Sequence, residues 1–200
     1  MSNISPLFTT PILHKPLNLN LAAIKHHCQG LRIHGKGREV SNIGGWQSED
    51  LVGEHPELND LFLEIELAGN EFTNYINNDW CKLDNVWVNF NSYRDYNRPH
   101  VHSKAYVSGV YYVAPEISTI VFYRRDELFP SFRFNYESYD ANTSLNMKIQ
   151  VPKNRIILFP SCLPHSVEDY EDEETRISVA LNTFVKGSLG DYDGKTLLEL

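Results

Sequence analysis

From residue 85 onward the chain breaks into short runs rich in β-branched and aromatic residues, at 86–93, 105–113, 119–123, 131–136, 145–151, 155–159, 166–168 and 176–184, separated by turn formers such as Pro, Asn and Asp. Strands this short, not alternating with helical runs, bury their apolar faces as two stacked sheets or a closed barrel rather than as a parallel α/β sheet. The expected core is a jelly roll over residues 85–186. Residues 1–84 read mainly as helix. A short helix is expected over 17–29, ending at Gly30, and a longer one over 56–80, where Leu58, Leu61, Phe62, Ile65, Phe72, Tyr75 and Ile76 recur at three- and four-residue intervals as one apolar stripe. Between them residues 35–53 hold glycines at 35, 37, 44, 45 and 53, which reads as an irregular loop over a pocket mouth. Residues 187–200 read as a tail or an edge element. The fold class expected is mainly β with a helical buttress, one domain over 1–200.

Two hundred residues suffice to bury a core without disulfides or structural metal. The three cysteines, Cys28, Cys81 and Cys162, are an odd number without CxxC spacing, which speaks against a disulfide framework and for a reducing compartment. The formal net charge is −8, and acidic residues crowd into 168–174, so phosphate backbones are repelled and nucleic acid is a disfavoured partner. Neither a basic-then-apolar leader nor an apolar run of spanning length is seen, and a soluble cytoplasmic protein is expected.

Against this background His100-Val101-His102 stands out. Side chains alternate along extended backbone, so two histidines one residue apart share a face and can grip one metal ion. An isolated pair of this kind is more often a surface feature. Here His165 follows a turn-like segment, 159–164, that can swing a third imidazole inward. Imidazole nitrogen suits Fe, Zn, Cu and Ni alike, so these residues alone do not choose the metal. Further on, alternation over 176–182 sets Arg176, Ser178, Ala180 and Asn182 on one face and Ile177, Val179 and Leu181 on the other. An arginine on a small, polar interior face needs an anion, and guanidinium beside hydroxyl is a carboxylate receptor. The competing reading is a surface ion pair of Arg176 with Glu168 or Asp172. A metal beside a carboxylate receptor points to a chelating keto acid.

These pieces, with Ser41-Asn42-Ile43-Gly44-Gly45-Trp46, Ser108-Gly109-Val110-Tyr111-Tyr112-Val113 and Phe159-Pro160-Ser161, resemble the Fe(II)- and 2-oxoglutarate-dependent oxygenase superfamily, in a branch with HxH in place of the usual HxD. The resemblance implies a double-stranded β-helix of cupin-like form, Fe(II) as metal and 2-oxoglutarate as cosubstrate. It further implies hydroxylation of a C–H bond of a small-molecule or peptidyl substrate, with release of succinate and carbon dioxide. Metal binding falls to His100, His102 and His165, and cosubstrate binding to Arg176, Ser178 and Tyr112. Tyr112 is equally readable as a core tyrosine. Asn91 stands where some relatives carry a tyrosine, while Trp87, Asn89 and Tyr93 are candidates to line substrate. The superfamily places two histidines and one carboxylate on iron; here the third ligand is either His102 itself or a nearby carboxylate, Asp95 being closest in sequence. Two other readings stay open, a three-histidine cupin-type dioxygenase that uses no keto acid and a non-catalytic jelly-roll binding protein. A homodimer is one assembly open to such a chain.

Overall fold

The computed structural model describes residues 9–53, 55–76, 81–125, 138–141, 143–169, 171, 173–185, 187–190, 194 and 196–199. The strands are β1 (Leu13–Pro16), β2 (Asn42–Ile43), β3 (Trp46–Gln47), β4 (Cys81–Asn91), β5 (Tyr96–His100), β6 (Val107–Ala114), β7 (Ile117–Tyr123), β8 (Asn146–Pro152), β9 (Arg155–Pro160), β10 (His165–Val167), β11 (Arg176–Val185), β12 (Ser188–Leu189) and β13 (Leu198–Glu199), and the helices are α1 (Leu21–His34) and α2 (Asn59–Tyr75). A larger antiparallel sheet runs β1-β9-β6-β11-β4-β3 and a smaller one β2-β5-β10-β7-β8, with β12 and β13 forming a separate ribbon. Two stacked antiparallel sheets with helices packed outside make the jelly roll that the strand pattern implies.

Period-2 alternation divides the larger sheet cleanly. Val86, Val88, Phe90, Tyr111, Val113, Ile156, Leu158, Ile177, Val179 and Leu181 face outward into a core shared with Ile24 and Cys28 of α1 and Leu61, Ile65, Ala68 and Phe72 of α2. Val110, Tyr112, Ile157, Phe159 and Ala180 face inward, where they meet Ile120 and Phe122 of the smaller sheet. Each large apolar side chain buried this way stabilises the fold by about 1.5–3 kcal/mol. Both layers are fixed by the same strands, so the helices hold rigid the sheet whose other face forms the cavity.

Several expectations needed correction. Helix α1 runs through Gly30 to His34, because a single glycine weakens a helix without ending it. Its stop is at Gly35, whose N–H donates to Leu31 O at 2.8 Å and whose carbonyl accepts from Trp46 Nε1 at 3.2 Å. Helix α2 buries Leu61, Ile65 and Phe72 as its stripe requires, but Tyr75 is exposed, and the expected helix past 76 enters residues outside those described. The stretch read as helical also supplies three strands: β1 pairs with β9, β2 with β5 and β3 with β4. Thus the glycine-rich loop is partly strand. Gly44 and Gly45 lie at φ 63° and 62°, and a Cβ on either would run into the Asp95 carboxylate or the Phe90 carbonyl, so only glycine lets the β2–β3 turn sit so close to β4 and β5. Strand β4 begins at Cys81, ahead of the run expected from 86, and the run expected at 131–136 lies outside the described residues. Among the described residues no helix is long and apolar enough to cross a membrane.

Candidate metal centre

His100 closes β5 and His165 opens β10, and the two are direct partners across that antiparallel pair. Direct partners on one face stand close, so pairing alone sets their rings side by side, with centroids 4.4 Å apart. His102 does not share their strand. The sheet releases the chain at His100, and His102 reaches back from a turn in which its N–H donates to Ser161 O at 3.0 Å and its carbonyl accepts from Ala105 N at 3.1 Å. The expectation that one extended strand presents both histidines is corrected, but its outcome is kept: the His102 ring lies 5.2 Å from that of His100 and 5.0 Å from that of His165. One potential ligand atom from each of the three lies within 4.8 Å of the others.

Proton bookkeeping orients the rings. Nδ1 of His100 is 2.6 Å from Arg98 O and Nδ1 of His165 is 3.0 Å from Leu163 O. Carbonyl oxygens only accept, so each Nδ1 carries the hydrogen and each Nε2 keeps its lone pair. Nδ1 of His102 meets oxygens too, Asn182 Oδ1 at 2.5 Å and Ser108 Oγ at 2.9 Å. Such outer contacts fix tautomer and direction in histidines that bind metal. Burial lowers all three pKa values, with the neighbouring imidazoles adding to the shift at His165, which falls to about 3, and at His102. The three rings are therefore neutral at neutral pH, the form in which imidazole ligates. Asp95 is occupied elsewhere: its Oδ2 accepts from Ser92 N at 2.6 Å, and it is not part of the three-histidine group.

The histidines open onto a cavity walled by Trp87, Asn89 and Asn91 of β4, Val110 of β6, Ile120 of β7 and Arg176, Ser178 and Ala180 of β11. Arg176 faces Asn91, and Ser178 faces Asn89, across the β11–β4 pair. Arg176 is 3% exposed and so is not a surface residue; Glu168 pairs with Lys148 at 2.6 Å, and Asp172 lies outside the described residues. Tyr112 is Ser178's partner on β6, and its ring centroid is 5.5 Å from the Arg176 guanidinium carbon. It is fully buried behind the cavity wall, and its hydroxyl makes no hydrogen bond among the described residues. Burial pushes that hydroxyl's pKa up to about 12 while the Arg176 charge pulls the other way, so it stays a donor. Trp87 lies 5.7 Å from the His102 ring, whereas Tyr93 is exposed beside Arg94 and is not among the residues walling this cavity. A wider groove of about 880 Å³ outside the smaller sheet contains none of the histidines, so size alone misidentifies the site.

Sequence reasoning missed two parts of this centre. Asn97 accepts from Asn91 Nδ2 at 3.3 Å and donates to Ser41 Oγ at 3.1 Å, tying the β2 segment to the cavity rim; nothing local in the sequence signals that pairing. Asn182 was placed on the face of Arg176 by alternation, yet its contact with His102, eighty residues away, depends on the fold.

The donor set fits a ferrous ion: neutral imidazoles are suitable iron ligands, and the arginine that would neutralise a keto acid's distal carboxylate is buried in the same cavity. Residues 85–182, which hold every candidate ligand, match the family described as Putative 2OG-Fe(II) oxygenase. No curated protein matches the chain in sequence. Among solved structures the fold is similar to a Pseudomonas putida prolyl-4-hydroxylase, 12% identical with TM-score 0.62 over 90% of this chain and 95% of the other. It is also similar to SnoN, an α-ketoglutarate-dependent epimerase of nogalamycin biosynthesis, 10% identical with TM-score 0.68 over 91% and 82%. HygX of Streptomyces hygroscopicus, solved with nickel and 2-oxoglutarate, is 13% identical with TM-score 0.58 over 88% and 84%. These likenesses establish the fold, and the family match over residues 85–182 shows that the jelly roll is similar to the Fe(II)- and 2-oxoglutarate-dependent oxygenases.

Proposed function

We propose that this protein is a 2-oxoglutarate-dependent dioxygenase that hydroxylates a C–H bond of a small-molecule or peptidyl substrate, holding Fe(II) through His100, His102 and His165. The observation that carries the reading is the convergence of three imidazoles, His165 buried and His100 and His102 half-buried, each with Nδ1 engaged by oxygen, in the cavity that also contains Arg176. Bound together, ferrous iron and 2-oxoglutarate supply the oxidising chemistry, the keto acid leaving as succinate and carbon dioxide. Arg176 neutralises the distal carboxylate with a two-pronged hydrogen bond, Ser178 adds a hydroxyl donor from the same face of β11, and the Tyr112 hydroxyl supports them from behind. Val110, Ile120, Ala180 and Trp87 give the cavity an apolar lining that excludes water from the reacting centre. The free thiols of Cys28 and Cys162 favour a reducing compartment such as the cytoplasm.

The all-imidazole donor set also favours a second reading, a three-histidine dioxygenase that needs no keto acid. Anaerobic reconstitution with Fe(II) and 2-oxoglutarate separates the two. The proposal expects a weak visible charge-transfer band, lost in His100→Ala and His165→Ala, and succinate released with substrate oxidation. A band absent in the wild type, with oxygen still consumed on a substrate, establishes the keto-acid-free reading. Bound metal with no oxygen consumption on any substrate tried favours a binding protein. Comparing His102→Ala with Asp95→Ala decides the third ligand: loss of tight Fe(II) binding in Asp95→Ala alone refutes the three-histidine set.

A further inference from the structure

His100 and His165 are each oriented by a main-chain carbonyl two residues upstream, a contact that any sequence supplies once the strand is built. His102 has no such local partner, because it sits in a turn outside the sheet. Its Nδ1 is held instead by two side chains of the larger sheet, Asn182 of β11 and Ser108 of β6, which are direct partners across that pair. Resting on the iron reading above, we propose that Asn182, assisted by Ser108, is the positioning residue that makes His102 a ligand.

The proton count supports one arrangement. Ser108 Oγ donates to Asn182 Oδ1 at 2.7 Å, and the amide oxygen has a second lone pair for the imidazole. Two acceptors cannot rest 2.5 Å apart, so Nδ1 of His102 carries hydrogen toward Asn182, and Nε2 is left to the cavity. A carboxylate ligand needs no such help, since either oxygen can ligate. An imidazole has two tautomers, of which only the Nδ1–H form offers Nε2, and it must be held against rotation about the side chain. Where the superfamily's carboxylate is replaced by histidine, a tautomer-fixing acceptor becomes necessary, and the Asn182–Ser108 pair supplies it. The His102 main chain is secured separately, by Ser161 O and Ala105 N, so trimming Asn182 frees the ring without releasing the turn.

The test uses the full chain labelled with ¹⁵N-histidine, combined with anaerobic Fe(II) titration. Two-bond proton–nitrogen spectra of the metal-free protein above neutral pH should report the Nδ1–H tautomer for His102. Asn182→Ala should convert that signal to a mixture and weaken Fe(II) by about 10- to 100-fold, the range for losing a ligand's outer partner. Asn182→Asp, a stronger acceptor of the same shape, should restore both, which a merely structural role for the amide does not predict. Ser108→Ala should show a smaller loss. An Nε2–H tautomer at His102 in the wild type, or unchanged tautomer and affinity in Asn182→Ala, overturns the positioning role while leaving the metal centre standing. A wild type that binds no Fe(II) overturns the iron reading and the inference with it.

Discussion

Among the described residues two groups of side chains bring three potential metal ligands within 4.8 Å of one another: His100, His102 and His165 between the sheets, and His27, His55 and Glu57 on the helical side. Proximity does not distinguish them; their surroundings do. In the first group each Nδ1 meets an oxygen within 3.0 Å, so tautomer and direction are set before a ligand arrives. In the second, His27 Nδ1 is 3.7 Å from Glu57 Oε2, beyond hydrogen-bond reach, and His27 Nε2 is buried without a hydrogen-bond partner among the described residues. The Glu57 side chain is 59% exposed, so ordering it on a metal would cost side-chain entropy and hydration. His27 and His55 meet edge to face, an ordinary packing contact between rings. The difference teaches that a metal centre is recognised by the acceptors behind its imidazoles rather than by a count of nearby nitrogens.

The sharpest way to break that comparison is to count metal. Anaerobic Fe(II) titration should give one tight equivalent per chain. His165→Ala should weaken it by more than about 100-fold, beyond what loss of an outer partner alone brings, while His27→Ala should leave it within about twofold. A second tight equivalent that His27→Ala removes would show that the helical group is a site despite its loose geometry.

What the sequence made legible follows the same division between local and distant. Alternation over 176–182 separated the Arg176 face from the Ile177 face correctly because β11 pairs with β4 without a shift through Asn182, although its pairing with β6 shifts between Ile177 and Ser178. The β5 strand went unread because Tyr96–His100 carries asparagine, arginine and proline, poor strand formers that here pair with β10 and β2. The HxH pair was read as lying on one strand for lack of any local signal that the chain leaves the sheet at His100; the bond from His102 N to Ser161 O that marks the turn joins segments far apart in sequence. Asn182 was assigned to the right face, but its use depends on where His102 lands. Backbone periodicity is written locally, and side-chain partnership across sheets is not.

A second prediction sharpens the comparison through its arginines. Arg176 lies in the cavity, whereas Arg32 of α1 lies over Phe90 at 4.9 Å on the helical side of the same sheet. Removing a charge-assisted two-pronged contact should weaken 2-oxoglutarate by about 2–4 kcal/mol, or about 30- to 1,000-fold, in Arg176→Ala. Fe(II) affinity should stay nearly constant. Arg32→Ala should cost about 0.5–1 kcal/mol of stability and leave keto-acid binding unchanged. Calorimetric titration of both variants checks this, and normal 2-oxoglutarate binding by Arg176→Ala would remove the carboxylate receptor from the proposal.

The smallest expected effect concerns one thiol on each side. Cys28 neighbours His27 on α1 but points into the helix–sheet core, where it has no exposed surface and burial pushes its thiol up to about 12. Thiolate is the reactive form, so at pH 8 only about one Cys28 in ten thousand is ionised, before access is considered. Cys162 is exposed, in the turn between Ser161, whose carbonyl holds His102 N–H, and Leu163, whose carbonyl holds His165 Nδ1. Alkylation of the native protein followed by peptide mapping should therefore label Cys162 within minutes and leave Cys28 untouched until denaturant is added. Because the labelled turn supports two histidines through its main chain only, Fe(II) affinity should fall no more than severalfold. Rapid labelling of Cys28 under native conditions would mean that the helical layer opens on its own. The sheet behind the metal centre would then be less firmly backed than its packing indicates, and the contrast between a fixed site and a loose one would have to be drawn between layers rather than between ligand clusters.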